Sequence, residues 1–339
     1  MQVKKLLLLL GGWCMVLNLN AEVNKDYFKV DAKGTVVTRA LHLPGSDQTK
    51  GESSVTIKLV TDVNGLFKVV AIAGSGDGFI DSWDTFAGGD DGYHPTFNLR
   101  NLYVEKQFAE KYKVQFGALN PEEGILRSGG FWGTGWIDGL RTKAETSYGT
   151  VAITLGSLGD LEEPSVFSRD VEFNYVEIKV SKKFFESLLI EAAYENLNDI
   201  SYAKIGVNYD YEIASDRVVK LILEYISSSD GGYKSVVGIE SDFYQLITGK
   251  NSDVKIRLSW QHVDEDFDLS QRPATSFWTQ PGETLVVEAS GPIKKDWDLS
   301  WYAQFRVNET TKNSYYIVGI KKSIDFNKIW NKGKSLFQP

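Results

Sequence analysis

The sequence predicts an all-β chain that closes into a transmembrane antiparallel barrel of about 16 strands, with short periplasmic turns and long extracellular loops. Three observations predict it. Alternation of apolar and polar residues with period two recurs from the thirties to the three hundred and twenties, which is the strand signal. The connections between these segments alternate between tight turns and long loops. And although 42% of the residues are hydrophobic and 13% aromatic, no apolar run beyond the N-terminus is long enough for a helix in lipid. A barrel wall turns only alternate residues to lipid, so the mean hydropathy of −0.23 does not argue against a membrane.

The N-terminus sets the compartment. Met1-Gln2-Val3-Lys4-Lys5 is basic, Leu6 to Leu10 is unbroken leucine, and the apolar stretch ends at Asn20-Ala21 before Glu22. Basic, apolar and then small is the layout of a secretory signal peptide, so residues 1–21 are expected to be removed. The competing reading, a membrane anchor, needs roughly 20 apolar residues, more than the run supplies. Cys14 is the only cysteine and falls in this segment, preceded by Trp13 rather than the small residue that lipid attachment requires. The rest of the chain therefore has no disulfide, and no Pro/Ser-rich linker divides it. One large barrel is expected over 22–326, followed by a C-terminal periplasmic tail over 327–339.

Along the chain, strands are expected near 34–42, 53–62, 66–74, 97–108, 112–119, 136–145, 148–157 and 171–182. They continue near 186–196, 201–212, 217–227, 233–247, 253–263, 283–291, 296–307 and 313–325. Asp253 to His262 shows the pattern most cleanly: Val254, Ile256, Leu258 and Trp260 fall on one face, and Lys255, Arg257, Ser259 and Gln261 on the other. Asp62 to Gly65, Ala109 to Lys111, Ser147, Lys183 to Phe185, Ala214 to Asp216 and Pro292 to Lys295 read as tight turns. Leu43 to Glu52, Ser75 to Thr96, Asn120 to Gly135, Gly156 to Asp170 and Asp264 to Gly282 read as loops. Soluble propellers and sandwiches have no reason to keep that parity. In lipid every backbone N–H and C=O needs an internal partner, so such a sheet must close. At this size the lumen is wider than side chains fill.

Residues in the other phase then face a wet interior: Glu105, Lys113, Glu177, Lys179, Lys204, Lys220, Glu224, Lys255, Arg257, Asp298 and Arg306. Rings of side-chain charge decide which ions enter such a space, although most single charges in it only solvate the wall. His42, His94 and His262 lie near loop ends without metal-ligand spacing. Asp90, Asp91 and His94 are the nearest arrangement to a hydrolytic group at the rim, but a solvated polar loop is the simpler reading of them. Asp77, Asp81, Asp84, Asp90 and Asp91 offer oxygen ligands for calcium in loop 75–96, but their spacing is not that of a calcium loop, so no cofactor is expected. The net charge of −8 argues against nucleic acid as a partner.

Leu99-Arg100-Asn101-Leu102-Tyr103-Val104-Glu105, a short turn, and Lys113-Val114-Gln115-Phe116-Gly117 resemble the Arg-x-x-Tyr-Val strand and following Val-x-x-Gly strand of the Gram-negative porins, among them the phosphate-selective porins O and P. Asn120-Pro121-Glu122-Glu123-Gly124 resembles the acidic Pro-Glu start of the constriction loop of general porins. The match covers roughly a tenth of the chain. The basic ladder of the phosphate-selective members is not evident, since Glu105, Glu177, Glu191 and Glu224 sit beside the lysines. The resemblance implies an outer-membrane channel for passive diffusion of ions and small hydrophilic solutes, and no enzyme. It further implies contact with the lipid bilayer and lipopolysaccharide, insertion by the outer-membrane assembly machinery, and a homotrimer. It places a constriction at the third outside loop, Asn120 to Gly135, where Glu122, Glu123 and Arg127 would meet Lys113, Glu105, Arg257 and Arg306 of the wall. Two alternatives remain: an outer-membrane barrel enzyme, protease or lipase, at the extracellular rim, and a structural or adhesive surface barrel. At the C-terminus either Phe326 ends the barrel, leaving a tail with Lys328, Lys332 and Lys334, or the last strand lies nearer Phe337.

Overall fold

The structure is a computed structural model that describes residues 28–42, 49–76, 84–85, 96–121, 124–126, 135–158, 163–214, 217–267, 281–311 and 313–329. The expected signal peptide 1–21 and the tail beyond 329 lie outside the described residues. The wall strands are β1 (Phe28–His42), β2 (Thr49–Val63), β3 (Phe67–Ser75), β4 (Phe97–Phe108), β5 (Tyr112–Leu119), β6 (Ile137–Thr146), β7 (Gly149–Ser157) and β8 (Tyr175–Phe184). They continue as β9 (Leu188–Leu197), β10 (Ile200–Ala214), β11 (Arg217–Ser228), β12 (Tyr233–Ser241), β13 (Lys255–Val263), β14 (Gly282–Lys294), β15 (Leu299–Asn308) and β16 (Ser314–Asp325). The sheet has 17 hydrogen-bonded segments; one is the two-residue Asp84–Thr85, which pairs with β2, leaving 17 − 1 = 16 wall strands. Each pairs antiparallel with the next, and β16 returns to β1 in a register running from Lys33 opposite Asp325 to His42 opposite Tyr316. The cylinder is closed and has no free edge.

Its burial is inverted relative to a water-soluble protein. On β8, Tyr175, Glu177 and Lys179 are buried while Val176, Ile178 and Val180 are exposed. On β9, Glu191, Ala193 and Glu195 are buried while Ala192 and Tyr194 are exposed. The buried face of a closed cylinder is its lumen, so the polar side chains point in and an apolar band points out: Val104, Ile153, Ile205, Leu223, Val237, Phe305 and Val318 among others. An apolar outer band over a polar lumen is the arrangement a bilayer demands of a barrel.

Amphipathic rings mark both borders of that band, where an apolar body meets lipid and a polar tip meets water. At one end Lys106 lies over Phe108 at 5.1 Å, Lys182 over Phe184 at 5.0 Å and Lys294 over Trp297 at 3.7 Å. At the other, Tyr225 stacks on Tyr233 at 5.6 Å, His262 lies 5.1 Å from Tyr233, and His42 stacks on Tyr316 at 4.9 Å. His42 and His262 thus sit among the border rings, His262 with its Nδ1 2.7 Å from Glu283 Oε1.

Both described termini fall at the end of the tight turns 64–66, 109–111, 147–148 and 185–187; the long connections 76–96, 120–136, 158–174 and 264–281 gather at the other. We call these the turn end and the loop end. Three loop-end connections, 198–199, 229–232 and 309–313, are short, and one turn-end connection, 242–254, is long. The segment expected as one strand over 233–247 therefore divides. β12 stops at Ser241, and a helix, α1 (Phe243–Thr248), follows. Phe243 to Ile247 lacks period-two alternation, and Asp242 and Gly249 supply the two caps: Asp242 accepts from Gln245 N, and Gly249 takes φ 72°. Asp298, expected on the lumen wall, occupies the turn before β15 at φ 50°, because Lys295–Trp297 form a 3₁₀ turn in place of the expected strand start. After β16 residues 326–329 make one helical turn, and Asn327 Nδ2 donates to Val30 O at 3.1 Å.

Asp242 also closes the insertion it begins. Its carboxylate accepts from Ser252 N at 2.9 Å and from Ser252 Oγ at 2.8 and 2.9 Å. Burial pushes this carboxyl up, but the hydrogen bonds from Gln245 and Ser252 outweigh it and hold it below the usual carboxylate range. A carboxyl lowered in the folded state contributes stability that is present above its unfolded value and is lost as pH falls through the folded one. Asp242→Ala is therefore expected to expose 242–254 to limited proteolysis at neutral pH, as wild type does only below the ordinary carboxylate range. Equal cleavage of both proteins at neutral pH would contradict this.

Candidate functional site

The lumen differs between its two halves. Toward the turn end its charges stand in neighbouring-strand pairs: Lys113 Nζ is 3.6 Å from Glu105 Oε2, Lys220 Nζ 3.8 Å from Glu240 Oε1, and Arg257 Nε 3.8 Å from Glu288 Oε2. These side chains keep between 20% and 37% of their surface in contact with solvent. Toward the loop end Thr154, Glu177, Lys179, Glu195 and Lys204 retain 4% or less. Glu177, Lys179 and Lys204, expected to face a wet interior, are therefore covered.

What covers them is connection 120–136, the third at the loop end. Leu126 donates its backbone N–H to Glu191 Oε1 at 2.7 Å, and Lys179 Nζ donates to Leu126 O at 2.5 Å. One residue of the loop is thus held through both of its backbone groups by opposite charges of β9 and β8. Charge-assisted bonds are the strong members of their class, and each charge has further company: Lys179 lies 3.6 Å from Glu177 and 4.0 Å from Glu191, and Lys204 pairs with Glu195. Ile125 and Leu126 pack on Ala193 and Leu189. The seat exists because β10 carries glycine there: a Cβ at Gly206 would lie 2.4 Å from Ile125 Cγ2.

A break in alternation on β4 anchors the two feet of this loop. The register shifts opposite Ile72 and Ala73, so Arg100 is bulged and two consecutive polar residues become buried. Asn101 Nδ2 donates to Leu119 O at 3.0 Å and Gly135 O at 3.2 Å, on either side of the loop. The carbonyl of Arg100 accepts from both terminal nitrogens of Arg169 at 3.0 Å. Arg169 comes from connection 158–174, pairs with Asp138 at 2.8 Å, and lies 4.2 Å over the Trp136 ring. Trp136 belongs to an apolar cluster with Tyr103, Leu119, Ile137 and Tyr175. A second cluster seats Phe267, from connection 264–281, on Ile200, Tyr202, Ile226 and Val263. The loop half of the wall from β3 to β13 is therefore dry.

A polar belt crosses β13 to β16. Glu288 is engaged by Arg257 and by Gln304 Nε2, and Gln304 Oε1 accepts from Tyr315 OH at 2.9 Å. Arg306 stands above it, its guanidinium 5.4 Å from the centre of the Tyr315 ring, with 7% of its surface exposed. Its Nε and Nη1 find no hydrogen-bond partner, and no carboxylate forms an ion pair with it among the described residues. A buried guanidinium without a carboxylate is costly, because desolvation is uncompensated.

Of the residues expected at a constriction, Lys113 and Glu105 stand together on β5 and β4, Arg257 lies toward the turn end of β13, and Arg306 toward the loop end of β15. Glu122, Glu123 and Arg127 lie outside the described residues. So do Asp77, Asp81, Asp90, Asp91 and His94. Sequence reasoning did not single out Asn101, Arg169, Gly206, Glu288, Gln304 or Tyr315. The Arg100-Asn101 pair was the visible signal for the bulge, since two adjacent polar residues break period two. Among the described residues no group of three or more His, Cys, Asp or Glu is arranged to hold a metal ion.

No protein-family model matches the sequence, and no curated protein is similar to it. Solved structures are similar in fold. OccK8 (OprE) of Pseudomonas aeruginosa is 12% identical, with 87% of this chain and 98% of that chain covered at a TM-score of 0.56. OmpF of Salmonella typhi is 12% identical, with 89% and 99% covered at 0.56. A mutant of the Rh. blastica porin is 10% identical, with 88% and 100% covered at 0.56. The similar structures are bacterial outer-membrane porins, and at these identities the likeness is one of fold.

Proposed function

We propose that the protein is an outer-membrane porin, a water-filled channel for passive diffusion of ions and small hydrophilic solutes that needs no cofactor. The carrying observation is the closed sixteen-strand wall with an inverted burial pattern and solvent-touching charge pairs along the turn half of its lumen. A barrel of this strand number is wider than its own side chains fill. On this reading the loop end faces the outside, beside lipopolysaccharide, and the turn end faces the periplasm. On the same reading connection 120–136 narrows the lumen from the β8–β10 side, and Glu122, Glu123 and Arg127 are proposed for the constriction together with Lys113, Glu105, Arg257 and Arg306 of the wall. The porin likeness of the fold supports the reading.

The test is reconstitution of the purified barrel in a planar bilayer. Stepwise ohmic conductance is expected, from protein that migrates faster in SDS before boiling than after it, because a closed sheet has no edge from which to unfold. A heat-modifiable, folded protein that leaves the bilayer sealed would refute the channel. It would favour a structural surface barrel, for which the dry clusters around Trp136 and Phe267 already form a partial plug.

A further inference from the structure

The long connection at the turn end is built in a way the lumen does not use. Tight turns suffice to join neighbouring strands at this end, yet 242–254 folds into α1 with a bridged base. Both flanks are fastened to other turns: Arg217 Nη1 donates to Leu246 O at 3.3 Å, and Lys295 pairs with Asp253. The helix buries no side chain of its own. Instead it presents Ile247 at 82% and Tyr244 at 52% exposure. A capped, bridged and strapped segment that holds an aliphatic and an aromatic side chain clear of its own protein is shaped to place them in something else.

We propose that α1 is a foot that rests in the headgroup layer of the periplasmic leaflet, inserting Tyr244 and Ile247 among the lipids. The inference rests on the outer-membrane reading of the barrel and adds a lipid contact outside the wall. Continuity with the lipid-facing surface identifies the occupant. Arg217, which holds the helix, follows the outward alternation of Val219, Leu221 and Leu223 on β11. Beside it the exposed Tyr211 and Ile213 end β10, and on the other flank Trp297 lies under Lys294. Lys106 over Phe108 and Lys182 over Phe184 repeat the same lysine–aromatic pairing at the same end of the barrel. Cations beside aromatic rings fit the border with anionic headgroups. Arg217 and exposed Lys250 extend that chemistry to the insertion. A short apolar face flanked by cations is the composition of an interfacial segment.

The only cysteine of the chain, Cys14, falls in the segment expected to be removed, so single-cysteine labelling is direct. Ile247→Cys, carrying an environment-sensitive fluorophore, is reconstituted as full-length barrel in vesicles of phosphatidylcholine and phosphatidylglycerol. Blue-shifted emission is expected, quenched by lipids spin-labelled near the headgroup and shielded from iodide, with shielding reduced in phosphatidylcholine alone. Phe116→Cys, on the outer face of β5, reports insertion of the wall, and Asp230→Cys, at a loop-end turn, reports water. Iodide-accessible Ile247→Cys beside lipid-buried Phe116→Cys overturns the foot and leaves the barrel reading intact; aqueous behaviour of both overturns the two together. A label shielded in whole cells but accessible in vesicles would assign the contact to a protein partner and also overturn the proposal.

Discussion

Replacing Glu191 by alanine is expected to release the third connection from the wall and to raise the single-channel conductance, with added open-channel noise. Glu191 receives the Leu126 N–H at 2.7 Å and lies 4.0 Å from Lys179, all at 3% exposure or less. Removing it strips the loop of a charge-assisted bond and leaves Lys179 with one carboxylate fewer in a dry site. Breaking a buried pair in this manner costs about 3–5 kcal/mol, which falls within the range of free energies over which parts of a protein open locally. Gly206→Val attacks the same seat from the opposite side, because its Cβ would begin 2.4 Å from Ile125 Cγ2 while every charge stays in place. The two variants should therefore share a phenotype for different reasons. Glu191→Gln, which keeps an acceptor for Leu126, is expected to fall between them and wild type. Wild-type conductance and noise in both Glu191→Ala and Gly206→Val would show that the docked residues do not limit the path.

The wall was legible in the sequence and the plug was not, and the difference has a physical cause. β5 runs over 112–119 as its alternation predicts, because each side chain there meets either lipid or lumen, and β4 keeps the expected bounds 97–108 although its phase breaks at Arg100 and Asn101. β12 was predicted too long because Phe243, Tyr244, Leu246 and Ile247 carry an apolar run past Ser241 without strand alternation, and the caps at Asp242 and Gly249 make it a helix. Phase along a strand also assigned Glu177, Lys179 and Lys204 correctly to the inner face. It said nothing about their being dry, since that depends on Ile125 and Leu126 arriving from a loop more than fifty residues away in sequence. A short loop segment carries no periodicity that reports where it docks. The seat at Gly206 is equally silent, because a glycine in a strand is compatible with a bulge, a bend or a close approach.

Arg306 carries the second large effect. Its guanidinium is covered and forms no ion pair with a carboxylate among the described residues, whereas Glu288, an acid of the belt, is already engaged by Arg257 and Gln304. A charge held in that state is not there for stability: Arg306→Met, which keeps an unbranched stem and discards the desolvation cost, should leave the thermal midpoint unchanged or raise it. Its field, however, reaches into the lumen. At roughly 10 Å and an effective dielectric constant of about 40, a unit charge is worth about 0.8 kcal/mol, which is roughly a fourfold change in the local concentration of a monovalent ion. Arg306→Met is therefore expected to move the reversal potential under a salt gradient toward the cation side, and Arg306→Glu to move it about twice as far. The shift should shrink as ionic strength rises toward 1 M, where the screening length falls to about 3 Å. Lys113→Met offers the contrast. That lysine stands beside Glu105 with 28% of its side chain in water, so its charge is already compensated and screened, and its removal should move the potential less. Equal reversal potentials for wild type, Arg306→Met and Arg306→Glu in heat-modifiable barrels would show that permeating ions do not pass the β13–β16 face. The path would then have to follow another part of the wall.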